Sequence, residues 1–290
     1  SPIQLIGVII YFAMGGAVGS FLNVVVYRLP LGISLVWPGS HCPRCHHAIR
    51  WYDNVPMLGW ILLRGKCRDC RTRISIRYPA VEAITAALFL AVGATEWCTF
   101  GTNLPQRPIL VVDGTLFAQL TTGEILGLMA YHLLLLSTLL AAALIQYDGL
   151  GVPLRLFWPA ALVGFVAPLA WPHLHPVPAW PGLADVLAAP LDGLAGAATG
   201  LLLGHASRLV IGPRDRRELP FGLGVAGVFL GWQAILALGF AVAVTHAVIE
   251  ALRPWRATLT RTSPGIWLFM ATTVWILGWE SLVQWWSASG

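Results

Sequence analysis

The chain has 290 residues, of which 57% are hydrophobic and only 11% charged, and its mean hydropathy is +0.72. Soluble domains carry roughly 25% charged residues, so a soluble globular protein is excluded and a polytopic membrane protein is expected. The formal net charge of +5 does not point to nucleic acid, because basic residues beside hydrophobic spans record topology.

A bilayer crossing needs about 20 apolar residues. Runs of this kind fall at roughly 3–27, 79–98, 123–146, 152–171 and 183–210. The stretch 221–253 is long enough for one short and one full span around Gly231-Trp232, and 264–288 closes the series. Eight spans result if 221–253 is split, and seven if it is not. The first run has no basic residue before it and Arg28 just after it. That order reverses a secretory signal, so an uncleaved span with its N-terminus outside is expected. Nine of the eighteen Lys and Arg lie in 28–78, and most of the others flank later loops, with Arg107 alone on the opposite side. The positive-inside rule then assigns 28–78 and the later basic loops to the cytosol. The expected organisation is a first transmembrane helix (1–27), a cytosolic lobe (28–78) and a helical bundle (79–290). No internal repeat is apparent, and 99–122 and WPHLHPVPAWP (171–181) read as extracytoplasmic loops.

Four of the five cysteines form two Cys-x-x-Cys pairs inside the basic lobe, Cys42/Cys45 and Cys67/Cys70, in the polar contexts HCPRCHH and KCRDCRT. Four thiolates at this spacing can close a tetrahedral zinc site, and a metal lets so small a segment fold without a substantial core. Twenty-one residues separate the inner cysteines, just beyond the usual zinc-ribbon window. Disulfides or unligated thiols are the alternatives, and His41, His46 and His47 could substitute as ligands. A closed four-thiolate site leaves no position for water, so such a zinc is structural. Reduced cysteines again favour the cytosolic face. Cys98 stands apart at the end of an apolar run.

GSFLNVVVYRLP (19–30), the Cys pairs, RWYDNVPMLGWILLRGKC (50–67) and ISIRYPAVEA (74–83) resemble the N-terminal half of type IV prepilin leader peptidases. These are integral-membrane aspartic peptidases that clip the leader of pilin-like precursors and N-methylate the new terminus. The similarity is dense over 14–90. Beyond that it thins to hydropathy, LPFGLGVAGVFLGWQ (219–233) and SPGIWLF (263–269). The resemblance implies an all-α bundle of about eight spans in the bacterial inner membrane, with a zinc lobe after the first. It implies zinc on Cys42, Cys45, Cys67 and Cys70, S-adenosylmethionine as methyl donor, and pilin or type II secretion pseudopilin precursors as partners in the bilayer. Asn23 and Arg28 match the first-span motif. Glu82 matches the Glu of the Tyr-Pro-x-Val-Glu segment and is a candidate for the methyl-transfer or substrate-contact surface. Asn23 reads equally as a helix-packing residue, and Arg28 as a topology anchor.

The departures concern catalysis. Family members use two membrane aspartates, one seven residues before a Pro and one in Gly-x-Gly-Asp. Two carboxylates are needed because one holds a proton while the other activates water. In ALIQYDGLGVPLRL (143–156), seven back from Pro153 is Gln146, and Asp148 lies two residues later. Asp148 is the catalytic candidate, reached across a local two-residue deletion. As an acid at a span end it is a functional suspect, although Tyr147-Asp148-Gly149 reads equally as a hydrated turn. The second motif reads GLGVAG (222–227), with Val225 in place of the Asp, and the nearest acids, Asp215 and Glu218, fall in the basic loop before it. Two readings follow: an enzyme with a rebuilt pair that includes Asp148, or a degenerate relative keeping fold, zinc lobe and substrate docking without proteolysis. The local residues favour the second. Glu124, Asp185, Asp192, Glu250 and Glu280 read as solvated span ends, and His132, His205 and His246 as hydrogen-bonded residues within spans. A transporter would show charged pairs at mid-span, and no convincing set is present.

Overall fold

A computed structural model describes residues 2–97, 109–112, 115–118, 121–171, 174, 185–207, 218–252 and 263–288. Cys98, Arg107, Asp215, most of the Pro-rich 171–181 loop, and the loop arginines at 208–217 and 253–261 lie outside these residues. So do the side chains of Asp185, Glu250 and Glu280. The chain divides into two compact units, Ser1–Ala94 and Thr95–Gly290.

In the first unit, α1 (Pro2–Arg28) pairs with α3 (Arg77–Val92), and the short α2 (Leu58–Leu62) belongs to the lobe between them. The pair closes through glycines spaced four apart, which let backbones approach as small-residue seams do in membranes. A Cβ on Gly15 would lie 2.6 Å from Ala86 Cα, and one on Gly19 2.7 Å from Glu82 Cα. Ile6, Ile9, Ile10 and Phe12 remain exposed, as suits a lipid-facing surface. Asn23 Nδ2 donates to the Tyr78 carbonyl at 3.2 Å, a helix-packing bond between α1 and the start of α3. Arg28 is buried, and its guanidinium donates to the carbonyls of Ser34 (3.0 Å) and Gly39 (3.4 Å). It therefore fastens the first loop of the lobe.

In the second unit, β1 (Ile109–Val112) and β2 (Thr115–Ala118) form an antiparallel hairpin pairing Ile109 with Ala118. It lies within the 99–122 stretch that reads as a loop. The missed signal is Asp113-Gly114 between two apolar runs. The helix α4 (Thr122–Tyr147) opens on a capping box. Thr121 Oγ1 accepts the Glu124 N–H, and the Glu124 carboxylate accepts the Thr121 N–H at 2.7 Å. Then follow α5 (Trp158–Ala170), α6 (Asp185–Ser207), α7 (Leu219–Leu252) and α8 (Pro264–Ala288).

The α6–α7 contact is a second glycine seam. Cβ atoms on Gly196, Gly200 and Gly204 would overlap Gly227 O, Leu223 O and Pro220 Cα in turn. The glycine-rich GLGVAG segment thus supplies a close-packing surface, with Val225 buried. Gly231 breaks α7 with φ 80° and ψ 171°, at the Gly231-Trp232 position where the sequence suggests a split. Asp192 differs from its reading as a solvated span end: it is only 5% exposed. Its carboxylate occupies the space that a Gly231 side chain would need. A helix resumes beyond that break, and its electropositive start favours a carboxylate.

Five described helical segments are long and apolar enough to cross a membrane, and 154–170 and 264–279 add shorter apolar helices. With α7 divided at Gly231, this is the all-α, multi-pass membrane architecture of about eight helices.

Candidate functional site

The four cysteines come from two turns of the same construction. Cys42 N–H donates to His47 O at 3.0 Å while His46 N–H returns to Cys42 O at 2.9 Å. Cys67 N–H donates to Thr72 O at 2.8 Å while Arg71 N–H returns to Cys67 O at 3.1 Å. The residue after each second cysteine, His46 or Arg71, adopts φ 58°, and bridges pair His41 with Ala48 and Lys66 with Arg73. The two knuckles face each other so that Cys42 Sγ lies 3.7 Å from Cys70 Sγ, and Cys45 Sγ 4.0 Å from Cys67 Sγ. All four sulfurs lie within 4.8 Å of one another. Tetrahedral zinc at about 2.3 Å from each thiolate needs sulfurs about 3.8 Å apart, so the set fits a metal. These separations leave the cysteines unbridged. Backbone N–H groups of Cys45 and Arg44 lower the Cys42 thiol to about 6. At Cys45 a backbone hydrogen bond from His47 is outweighed by burial and the neighbouring sulfurs, which push that thiol up, so the first thiolate of the cluster forms at Cys42. Among the described residues the four-ligand cluster is made by the cysteines alone. His41 Nδ1 instead lies 2.9 Å from Gly39 O.

The lobe is cross-tied by Arg68 and Asp53. Nη2 lies 2.5 Å from Oδ1 and Nε 2.7 Å from Oδ2, a bidentate fork. Hydrogen bonding from Arg68 holds the Asp53 carboxyl below its ordinary value. Beside this tie is a cavity of about 580 Å³, lined among others by Asn23, Tyr27, Arg28, Tyr78 and Glu82. Glu82 is 9% exposed and accepts the Met57 N–H at 2.6 Å, where Met57 adopts φ 60°. The sequence candidate for methyl transfer therefore sits in the cavity wall and also anchors the start of α2.

In the second unit the foot of α4 carries Gln146 and Asp148. Gly149, at φ 73°, ends the helix. Its N–H donates to Gln146 O at 2.8 Å, and Leu150 N–H to Ile145 O at 3.2 Å, the paired bonds of a left-handed C-terminal turn. Asp148 is the exposed C-cap of that turn. Gln146 is turned to the protein. Its Nε2 donates to Glu218 Oε2 at 2.5 Å, and its Oε1 accepts the Gly265 N–H at 3.0 Å. Glu218 Oε1 accepts the Val152 N–H at 2.6 Å. One of the two acids in the basic loop before the second motif, Glu218, therefore meets the foot of α4, at Gln146 and not at Asp148. Glu218 stands just before α7, and Val225 lies about two turns into that helix, about 10 Å along the axis.

A multi-pass helical membrane protein with a four-cysteine lobe after its first helix is the class these features define. Residues 13–95 match the family described as the Bacterial Peptidase A24 N-terminal domain. A prepilin leader peptidase/N-methyltransferase of Klebsiella pneumoniae is 33% identical over 242 residues, 77% of this chain and 85% of that protein. One from Myxococcus xanthus (strain DK1622) is 34% identical over 246 residues, 83% of this chain but 61% of its own length, so the chain spans less than two thirds of that relative. A type 4 prepilin-like proteins leader peptide-processing enzyme of Escherichia coli O78:H11 (strain H10407 / ETEC) is 31% identical over 212 residues, covering 55% of this chain and 77% of that enzyme. The chain belongs to the prepilin leader peptidase/N-methyltransferase family. No solved structure matches it.

Proposed function

We propose that this chain processes pilin-like precursors, of type IV pili or type II secretion, in the bacterial inner membrane. It releases the leader and N-methylates the new terminus, the two activities its relatives are named for. The observation that carries the reading is the Glu218 carboxylate against Gln146, at the place where the family's first acid is expected. The degenerate alternative draws on Val225 and on the amide at 146. Glu218 brings one carboxyl group to α4 where the family uses two, so this alternative stands on the missing second acid.

The cysteines hold a structural zinc, which has no open coordination position and takes no part in the chemistry. The basic balance of 28–78 orients the lobe to the cytosol. S-adenosylmethionine supplies the methyl group when bound. The lobe cavity suits it by donor chemistry: Glu82 offers a carboxylate to an amino group or ribose hydroxyl, and Tyr27 and Tyr78 offer aromatic faces to a purine. The lobe is itself strongly basic, so a basic leader is held through apolar helix packing in the bilayer more than by charge.

The test uses the full-length purified chain in lipid nanodiscs with a pilin-like precursor. Leader release is read by mass spectrometry, and methyl transfer is read separately on a pre-cleaved precursor with labelled S-adenosylmethionine. Release and methylation are expected. A chain that binds precursor but does neither would establish the degenerate alternative.

A further inference from the structure

Resting on that reading of the chain as a precursor-processing enzyme, we infer that Glu218 and Gln146 hydrolyse the peptide bond as a carboxylate–amide pair in place of two acids. Two acids a hydrogen bond apart must share a proton, and the protonated member serves as the donor. An amide at 146 does the donor's work without titrating, so the single carboxylate is free to act as base.

The arrangement is fixed on four elements. The Gly265 N–H at the start of α8 holds Gln146 Oε1 at 3.0 Å, which turns Nε2 toward Glu218. The Val152 N–H holds Glu218 Oε1 at 2.6 Å. Each carboxylate oxygen keeps a second lone pair, and the Gln146 amide keeps a second N–H. Both side chains are only partly buried, so water and a substrate backbone can approach them. Preorganised groups of this kind, set on helix ends, are what a reacting site requires.

Glu218 takes a proton from water as the water oxygen bonds to the scissile carbonyl carbon. The carbonyl π electrons move onto its oxygen, which accepts the free N–H of Gln146. The oxyanion collapses, the C–N bond breaks, and the proton on Glu218 passes to the departing nitrogen. One water is consumed, and a leader carboxyl and a free pilin amine result.

The experiment compares the full-length parent with Glu218→Gln, which preserves shape, and Gln146→Leu, in nanodiscs with a pilin-like precursor. Folding is checked by thermal unfolding and zinc content. Expected losses in kcat are at least about 10²-fold for Glu218→Gln and about 10²–10³-fold for Gln146→Leu, with KM little changed. A folded Glu218→Gln that cleaves at the parent rate overturns the pair and leaves the processing function standing. If that variant fails to fold, an unchanged kcat in Gln146→Leu overturns the pair by itself. A parent that methylates a pre-cleaved precursor without cleaving an intact one also overturns the pair alone. A parent that does neither removes both readings.

Discussion

Glu96 Oε1 lies 2.5 Å from His132 Nδ1, and the two side chains tie the end of the π-helical segment Gly93–Trp97 to the N-terminal half of α4. Glu96 is 0% and His132 4% exposed, and Glu96 Oε2 has no hydrogen-bond partner among the described residues. Removing one member of a buried hydrogen-bonded pair leaves the other's polar atoms desolvated and unpaired, at a cost of about 1–3 kcal/mol. His132→Leu should therefore lower the thermal unfolding midpoint sharply. Glu96→Leu/His132→Leu should recover most of the loss, since an apolar replacement removes both polar groups together. Equal destabilisation by the single and double changes would show that the pair is not the source.

The cysteine cluster makes a stoichiometric prediction. Elemental analysis should find about one zinc per chain, and Cys42→Ser or Cys70→Ser should reduce that content. Chelation should expose 29–76 to protease while α4–α8 stay protected, because a metal-dependent lobe has little core of its own. A chelated lobe that resists protease as the loaded one does would refute the structural role of the metal.

Asp148 caps α4 on the exposed side of the Gly149 turn, and two residues of α-helix rotate a side chain by about 200° from Gln146. Asp148→Asn should leave leader release close to the parent rate, well short of the about 10²-fold loss expected when a general base is removed. A loss of that size would make Asp148 the water-activating acid.

What the sequence discloses is the part governed by local pattern. The four-cysteine cluster follows from Cys-x-x-Cys spacing, the helices from apolar run length, and the α7 break from Gly231-Trp232. Glu218 is not legible, because 72 residues separate it from Gln146 and motif register points to Val225 instead. Only the packing of α4, α7 and α8 brings the two together. The burial of Asp192 is hidden for the same reason, since it depends on where another helix breaks. The likeness of the two cysteine knuckles also escapes comparison of residues. It resides in hydrogen bonds and in φ at His46 and Arg71, two residues with unrelated side chains.

A glycine inside the α6–α7 seam and one outside it predict opposite outcomes for Gly→Ala changes. Gly200→Ala drives a methyl into the Leu223 carbonyl oxygen, and overpacking of this kind costs about 1–3 kcal/mol. A methyl on Gly127 in α4 would meet nothing within 4 Å, so Gly127→Ala should stabilise by up to about 1 kcal/mol through helix propensity. Thermal unfolding of the two variants in the same detergent checks both signs. A neutral Gly200→Ala would mean that the helices are free to separate there.

The Arg68–Asp53 fork predicts a pH response with a definite sign. Arg68 lowers the folded-state pKa of Asp53, so the unfolded chain binds its proton first as pH falls. The stabilisation is present above the ordinary aspartate value of about 3.9 and is lost as pH drops through the depressed folded value. Arg68→Gln removes the cation, so the Asp53 midpoint, followed by carboxyl carbon NMR in the full-length chain, should move up toward the ordinary value. The same variant should show less acid destabilisation between those two pH values, because the proton-linked difference between folded and unfolded chains has shrunk. A midpoint that stays put would mean that the second basic neighbour, Arg50, sets the shift.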